Sequence, residues 1–300
     1  MRDQAERLRS MARIIKEEIR QQSAQPPSRL ARVVSITSGK GGVGKTNLAV
    51  NLAVALQQLG KRVLLLDTDI GLANADLLLG LTPRYNLGHV VGGARSIQQV
   101  IYDGPCGLRL IAAGSGFREV VSLSRLQLDR FLDGLEELER TVDLILLDTG
   151  AGISHTVLDF IGASHEVILV ANPEPTSIAD AYALVKVLAN QGSRLPLGLV
   201  VNKAQNEAEG LHAARRLLAA ASRFLQVDIT YLGQVLEDPN VPRAVKEQEP
   251  FVLAYPESPA SRSVQALARA VFLGDEVAAP ASGVKAFFQQ LARGLGPRSV

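Results

Sequence analysis

The feature that most constrains this 300-residue chain is a glycine-rich stretch, SITSGKGGVGKTNLAVN, at residues 35–51. An apolar run precedes it and a helical pattern follows it, so we predict a strand, a loop and a helix. The loop satisfies G-x-x-x-x-G-K-[ST], in which backbone N–H groups surround phosphate oxygens where a helix begins. Lys45 would add charge for the terminal phosphates, and the Thr46 hydroxyl would be a magnesium ligand. The full motif in this context favours a nucleotide site over an ordinary glycine turn.

Short apolar runs alternate with helical patterns along most of the remaining chain. Most of these runs are near-continuous Val, Ile and Leu, which is typical of strands buried on both faces. We therefore predict an α/β fold, with a single doubly wound, mostly parallel sheet and helices on both faces, in one domain over residues 31–273. The predicted strands after the loop span residues 62–67, 108–112, 142–148, 166–171, 197–202 and 229–235.

Polar residues end several of these strands. Asp67 and Asp148 end the second and fourth strands, and Asn202 and Lys203 end a later one. Ligands of open α/β sheets bind at the carboxyl ends of the strands, so we expect these residues at the edge that carries the loop. Mg²⁺ is commonly held through one or two carboxylates, phosphates and water, which makes Thr46, Asp67 and Asp148 the predicted metal ligands. The alternative role for Asp148 is a helix N-cap.

The N-terminal residues 1–22 form a separate amphipathic pattern. Apolar residues recur there at alternating spacings of three and four, and the polar, proline-containing stretch 23–30 ends the predicted helix. The connector favours a detachable arm that binds a partner. The alternative is a helix that packs on the core of its own chain.

The C-terminal residues form a second amphipathic pattern. Residues 274–282 read as a small-residue linker, and residues 283–296 as a basic amphipathic helix of the kind that lies in a membrane interface. We expect one copy of this helix to bind a membrane weakly, and two copies held together to bind it more tightly. The alternative is a terminal helix docked on the domain. The apolar stripe consists of Val284, Phe287, Phe288, Leu291 and Leu295.

Composition narrows the classes of protein. The formal net charge is only +2, so any basic patch must be local. Cys106 is the only cysteine, which excludes an intramolecular disulfide or a C-x-x-C zinc site and fits a reducing cytosol. Charges throughout the first twenty residues leave no core for a signal peptide, and the sequence has no 18-residue apolar run. We therefore expect a cytoplasmic protein, and a surface anchor stays open.

A second lysine, Lys40, stands directly after the first glycine of the loop. With this lysine, the run from Gly39 to Thr46 resembles the deviant phosphate loop of the MinD/ParA ATPases, in which the early lysine is a signature. The sequences DTD at residues 67–69 and GLANAD at residues 71–76 are similar to the segment after the second strand in MinD-type members. The resemblance extends over nearly the whole chain and implies a homodimer that forms with ATP.

Within this family, the chain looks like the branch of flagellar-number regulators called FlhG, FleN or YlxH. Residues 46–47 and 148–153 and the C-terminal helix resemble this branch, and residues 3–9 match its D-Q-A-x-x-L-R arm. The resemblance implies that the arm stimulates the signal-recognition-type GTPase FlhF. It also implies a protein that is peripheral on the inner face of the cell membrane when bound to ATP, with membrane lipid and flagellar switch-complex (C-ring) proteins as partners. We expect no nucleic acid, because the clustering of charge favours lipid. The matching arm residues are Asp3, Gln4, Ala5, Leu8 and Arg9.

The family resemblance further implies roles for individual residues. Lys40 would reach across a two-fold interface to phosphates bound by the other subunit, Asp69 would orient the attacking water, and Gly152 would sense the terminal phosphate through its backbone. Lys40, Lys45 and Asp69 are the implied catalytic residues of a slow, magnesium-dependent hydrolysis of ATP. The implied phosphate-binding residues are Gly39, Lys40, Gly41, Gly42, Val43, Gly44, Lys45, Thr46, Asn47 and Gly152, and the implied adenine-binding residues are Asn202 and Asp238.

Two other functions stay open from the sequence. One is a MinD- or ParA-like ATPase that positions the division site or DNA. The other is a non-catalytic scaffold in which nucleotide is only structural, although a water-orienting carboxylate at Asp69 argues against it. Redox relatives of the nitrogenase iron protein need two cysteines in each subunit, and Cys106 alone excludes that chemistry.

Overall fold

The computed structural model of the protein describes residues 30–69, 74–112, 134, 138–273 and 283–295, without the side chains at positions 91 and 292–295. The predicted arm with Asp3, Gln4, Ala5, Leu8 and Arg9 lies outside the described residues. So do the linker at residues 274–282 and the side chain of Leu295. What we predicted for these parts stays a prediction.

The centre of the fold is an eight-stranded sheet in the order β3-β4-β2-β5-β1-β6-β7-β8. All neighbouring strands are parallel except β3 and β4, which confirms the predicted α/β fold. The short edge strand β3 was not predicted, because two residues are too few to show a pattern. The strands are β1 (Arg32–Ser38), β2 (Val63–Asp67), β3 (Tyr102–Asp103), β4 (Arg109–Ala112), β5 (Leu144–Ala151), β6 (Glu166–Ala171), β7 (Leu197–Ala204) and β8 (Ile229–Leu236).

Helices cover both faces of this sheet. Side chains alternate across a strand, so Val34 and Ile36 of β1 pack on one face and Val33 packs on the other. Helices α1 and α9 cover the first face, and α4, α5, α6 and α10 cover the second. The described helices are α1 (Lys45–Gln58), α2 (Ala75–Leu78), α3 (Leu87–Val91), α4 (His155–Ala163), α5 (Pro175–Asn190), α6 (Glu207–Leu225), α7 (Asn240–Glu247), α8 (Phe251–Ala254), α9 (Pro259–Leu273) and α10 (Val284–Leu295).

The C-terminal helix α10 is docked on the domain, so its apolar stripe does not face solvent or lipid in this structure. Its four described stripe residues are at most 2% exposed. They share a core cluster with β1, β2 and β5 and with Phe160 and Ala163 of α4. The docked alternative is therefore the observed one, because the sheet offers the stripe an apolar surface within the same chain. The four residues are Val284, Phe287, Phe288 and Leu291.

Polar contacts of the described residues also hold α10 in this position. The Val284 N–H donates to the buried Glu139 carboxylate at 2.9 Å, which places a negative charge at the start of the helix. Gln290 Nε2 donates to the Gly162 carbonyl at 2.8 Å. Membrane binding through this stripe stays a prediction, and it requires α10 to leave the sheet. Within the described part of the chain, no helix is both long enough and apolar enough to span a bilayer.

Candidate nucleotide and magnesium site

The loop between β1 and α1 depends on its glycines. Gly42 and Gly44 have φ angles of 79° and 86°, in the left-handed region that glycine adopts without steric cost. A Cβ at Gly39 would collide with the backbone of α5, and one at Gly44 would collide with the Asn202 amide. Helix α1 begins at Lys45 with no side-chain cap and no acidic residue in its first turn. Its first N–H groups and its positive end are thus left for an anionic ligand.

A buried ion pair lies at this loop. Lys45 Nζ is 2.5 Å from Asp148 Oδ1, and only 7% and 1% of the two side chains are exposed. The second carboxylate oxygen, Asp148 Oδ2, is buried and has no hydrogen-bond partner within the part of the chain that the structure describes. Burying a polar atom unpaired is costly, and a bound cation or water at Oδ2 would remove that cost.

Asp67 is the neighbour of Asp148 in the register of β2 and β5. Burial, and then the charge of Asp148, raise the pKa of Asp67 to about 6. Burial likewise raises the pKa of Asp148, while the charge of Lys45 opposes that increase. A divalent cation would stabilise both carboxylates in their charged form. The Asp67 carboxylate also accepts hydrogen bonds of 3.0–3.1 Å from the N–H groups of Asp69, Asn74 and Ala75.

The three predicted metal ligands come together at this edge of the sheet. Thr46 follows Lys45 at the start of α1, and its side chain helps to oppose the increase in the pKa of Asp148, which lies beside Asp67. One hydroxyl and two carboxylates, one of them with an unpaired buried oxygen, fit Mg²⁺, for which nucleotide phosphates and water supply the remaining ligands. When bound, the ion would neutralise phosphate charge.

Metal affinity is expected to fall at mildly acidic pH because Asp67 must lose its proton. The pKa of this carboxyl in the folded protein, about 6, is above the ordinary value of 3.8. Without metal, this shift stabilises the fold at low pH, and the contribution is lost as the pH rises through about 6. Calorimetric titration with Mg²⁺ and ADP should give constant affinity above about pH 7 and a decrease of roughly tenfold per pH unit below 6.

Titration with ADP alone corrects for protonation of the nucleotide itself. Asp67→Asn should bind Mg²⁺ and ADP weakly and lose most of this pH dependence. Equal pH profiles for the wild-type protein and the variant would contradict the assignment of Asp67 to the metal.

Lys40, the second lysine of the loop, points away from the Lys45–Asp148 pair. Its Nζ donates to Glu174 Oε2 at 2.9 Å and to Thr176 Oγ1 at 3.3 Å, at the start of α5. The Lys40 side chain is 34% exposed and that of Glu174 is 60% exposed. Within one chain, Lys40 therefore lies at an accessible edge of the site, and its role toward a second subunit stays a prediction.

Asp69 lies near the segment that follows Asp148, and Gly152 in that segment contacts Ser38, which precedes the loop. Asp69 is half-buried, and its Oδ1 would lie 3.7 Å from a Cβ added at Gly150. Gly152 has a φ of 90°, and its N–H donates to the Ser38 carbonyl at 2.8 Å. The Gly152 N–H is thus used within the chain in this conformation, and the expectation that the Gly152 backbone senses phosphate stays a prediction.

The two predicted adenine residues have different surroundings. Asn202 Nδ2 donates to the Val43 carbonyl at 2.7 Å, which leaves the amide oxygen to accept from an adenine amino group. The Asp238 carboxylate accepts from the N–H groups of Asn240 at 2.8 Å and Ala260 at 3.1 Å. Burial opposes ionisation of Asp238, but these hydrogen bonds outweigh it and lower its pKa. These bonds give Asp238 a structural role, but each carboxylate oxygen has a second lone pair, so adenine binding by Asp238 stays a prediction.

The structure adds polar residues to which we assigned no role from the sequence. Asn172 follows β6, and its amide, oriented to suit its neighbours, donates to the carbonyls of Val43 and Asn202 at 3.2 Å. Glu174 binds Lys40, and Lys203 Nζ donates to the Gly42 carbonyl at 3.1 Å. Asn172 and Glu174 could have been found by extending the strand-end rule to the end of β6.

A glycine loop at the start of α1, a buried lysine and paired strand-end carboxylates define a P-loop nucleotide-binding α/β protein. Residues 34–251 match the family described as the CobQ/CobB/MinD/ParA nucleotide binding domain. The chain belongs to this family and, within it, to the MinD/ParA type of nucleotide-binding ATPase.

Individual relatives place the chain more closely. It is 40% identical to the "Antiactivator FleN" of Pseudomonas aeruginosa over 87% of this chain and 94% of the relative. It is 35% identical to the "Flagellum site-determining protein YlxH" of Helicobacter pylori over 88% and 91% of the two chains. Among solved structures, the septum site-determining protein MinD of Pyrococcus horikoshii with Mg-ADP superposes with a TM-score of 0.66 at 28% identity, over 83% of this chain and 99% of that one.

Proposed function

We propose that this protein is a slow, magnesium-dependent ATPase that dimerises with ATP and regulates the number or placement of flagella. The proposal rests on one observation: the phosphate loop is complete, and its two lysines have different surroundings. Lys45 is buried on Asp148, whereas Lys40 lies at an exposed edge on Glu174. The flagellar part of the proposal is supported by the relative named flagellum site-determining protein YlxH, and its regulatory part by the relative named antiactivator FleN.

Hydrolysis would begin with a change of partner for Lys45. Its ammonium turns from Asp148 to the terminal phosphates, and the Asp148 carboxylate is then available to the hydrated magnesium ion. The N–H groups at the start of α1 stabilise negative charge that develops on the phosphate. Asp69, half-buried beside Gly150, holds the attacking water in line with the phosphate.

Dimerisation would use the exposed lysine. Lys40 leaves Glu174 and reaches the phosphates bound by the second subunit, where its charge is partly shielded from water. ADP lacks the terminal phosphate that makes this contact strong, so the dimer depends on ATP. This difference would make the protein a switch between two states of association.

The two chain ends would connect this switch to its partners. Two copies of α10, released from the sheet, would hold an ATP-bound dimer on the inner face of the cell membrane. The arm at residues 1–22 would stimulate the GTPase FlhF, a proposal that rests on the heptapeptide at residues 3–9. Flagellar switch-complex proteins are further proposed partners.

Replacement of Asp69 by alanine tests the catalytic part of this proposal. We expect steady-state phosphate release to fall by about a hundredfold, because a residue that orients or activates the nucleophile contributes a factor of roughly this size. Binding of Mg²⁺ and ADP should stay within about threefold of the wild-type value, because Asp69 is not a predicted metal ligand.

The neighbouring acidic residue Asp76, in the first turn of α2, provides the matched control. Asp76→Ala should hydrolyse ATP at the wild-type rate. If turnover by Asp69→Ala equals that of the wild-type protein, the non-catalytic scaffold is the better description.

A further inference from the structure

Lys203 has an unusual backbone conformation for a residue with a side chain. Its φ is 58°, in the left-handed region that costs energy for any residue with a Cβ. The register between β7 and β8 also shifts between Asn202 and Ala204, so Lys203 lies in an irregularity of the strand. Successive side chains of a regular strand point to opposite faces. The irregularity instead lets Asn202 and Lys203 both reach the phosphate loop.

These two side chains bind successive carbonyls of the loop. Lys203 Nζ donates to the Gly42 carbonyl at 3.1 Å, and Asn202 Nδ2 donates to the Val43 carbonyl at 2.7 Å. With its amide in the orientation that suits its neighbours, Asn172 from the end of β6 also donates to the Val43 carbonyl, at 3.2 Å. Side chains at the ends of two strands thus bind the carbonyl oxygens of Gly42 and Val43.

Because a peptide group is planar, fixing its carbonyl also fixes the direction of its N–H group. The C=O and N–H of a planar trans peptide point in opposite directions, and the described residues contain no cis peptide bond. Holding the carbonyls of Gly42 and Val43 toward the strand ends turns the N–H groups of Val43 and Gly44 the other way. Loops of this kind present those N–H groups to phosphate oxygens.

We propose that Lys203 is a positioning residue for nucleotide, acting through the Gly42–Val43 peptide rather than by touching the phosphate. Its positive charge holds this peptide with the N–H turned away from Lys203. It also polarises the peptide, which makes the N–H a stronger donor. The inference rests on the nucleotide function proposed above. It explains why an exposed lysine keeps an unfavourable backbone conformation instead of extending into solvent.

Two substitutions separate the charge of Lys203 from its backbone. Asparagine tolerates a left-handed conformation but is too short to reach Gly42, whereas arginine keeps a cation of sufficient length. For Lys203→Asn, fluorescence titration with Mg²⁺ and ADP should show roughly tenfold weaker binding, as expected for loss of one charge-assisted hydrogen bond. Lys203→Arg should bind within about threefold of the wild-type value. Lys186→Gln, at an exposed lysine of α5, should bind as the wild-type protein does.

Thermal unfolding and steady-state kinetics distinguish positioning from a general structural role. For Lys203→Asn, the unfolding temperature without nucleotide should not decrease, and the increase caused by saturating Mg²⁺ and ADP in the wild-type protein should become smaller. The KM for ATP should rise, and kcat at saturating ATP should stay within about twofold, because Lys203 does not contact the reacting atoms.

Three results would overturn the inference: wild-type ADP affinity in Lys203→Asn, no recovery in Lys203→Arg, or a parallel loss of stability without nucleotide. A wild-type protein that does not bind ADP would overturn both this inference and the proposed function. A wild-type protein that binds ADP but hydrolyses no ATP would overturn only the proposed ATPase, and the affinities of the variants would still decide the role of Lys203.

Discussion

Replacement of Lys40 by alanine is expected to abolish ATP-dependent dimerisation while each monomer still binds nucleotide. The Lys40 ammonium lies on Glu174, not on the Lys45–Asp148 pair, so its loss leaves the nucleotide site of its own chain intact. Truncating one partner of a charge pair buried at an interface costs about 2–5 kcal/mol, which is a loss of roughly thirtyfold or more in dimer affinity. Light scattering with ATP and with ADP measures the association directly.

Glu174→Gln is the matched variant, since it removes the partner that holds Lys40 within its own chain. An exposed ion pair is worth only about 0.2–1 kcal/mol, so ATP-dependent dimers should be unchanged or up to about fivefold tighter. Dimers of normal stability in Lys40→Ala would refute a role for Lys40 across the interface. Loss of dimers in Glu174→Gln would show that Glu174 does more than hold the lysine.

Replacement of Asp148 by alanine is expected to destabilise the nucleotide-free fold by about 3 kcal/mol and to remove magnesium-dependent nucleotide binding. The reason for the first effect is that the Lys45 ammonium, only 7% exposed, would lose the carboxylate at 2.5 Å. Breaking a buried pair by removing one partner leaves an uncompensated charge and costs about 3–5 kcal/mol. Urea unfolding without nucleotide measures this loss through the midpoint and the slope of the transition.

A double variant, Lys45→Met with Asp148→Leu, provides the control for this second prediction. Replacing both charges by apolar side chains of similar volume is often neutral, so the double variant should regain most of the lost stability. It should still fail to bind nucleotide. If Asp148→Ala unfolds at the wild-type urea concentration, the Lys45–Asp148 pair does not have the energetic role that its burial indicates.

The parts of the site that could be predicted from sequence depend on local chemistry and on one rule of topology. The phosphate loop is a contiguous motif, and a helix that begins after glycine needs no distant residue to be recognised. Asp67 and Asp148 were placed correctly because the carboxyl ends of parallel strands share one edge of the sheet. The strand patterns and this rule together brought near each other two residues that are 81 positions apart.

The remaining contacts depend on geometry that a linear pattern does not contain. Asp238 is an ordinary strand-end carboxylate in the sequence, and only the fold brings the Ala260 N–H to it. The Gly152 N–H is used by Ser38 because β1 and β5 shift register near their ends. Lys203 reaches the loop only through its left-handed backbone, and a residue other than glycine gives no sequence signal for that conformation.

The C-terminal helix shows a different limit of sequence patterns. Apolar residues at helical spacing indicate that one face of the helix is covered. The spacing is the same whether lipid or protein covers that face. Here Phe287 and Phe288 pack edge to face within the core, with ring centroids 4.8 Å apart. Burial in the chain itself was the alternative that the sequence left open.

Under the proposed membrane association, the protein core and the membrane would compete for the same apolar stripe of α10. Only molecules whose helix has left the sheet can bind lipid, so the apparent membrane affinity equals the intrinsic affinity multiplied by the undocked fraction. Release would also uncover apolar residues of the cluster that α10 shares with β1 and α4, such as Val33 and Phe160, at a cost that lipid contact must exceed. Membrane binding would therefore require lipid contact to be more favourable than docking on the domain. The strength of packing under α10 would determine how favourable that contact has to be.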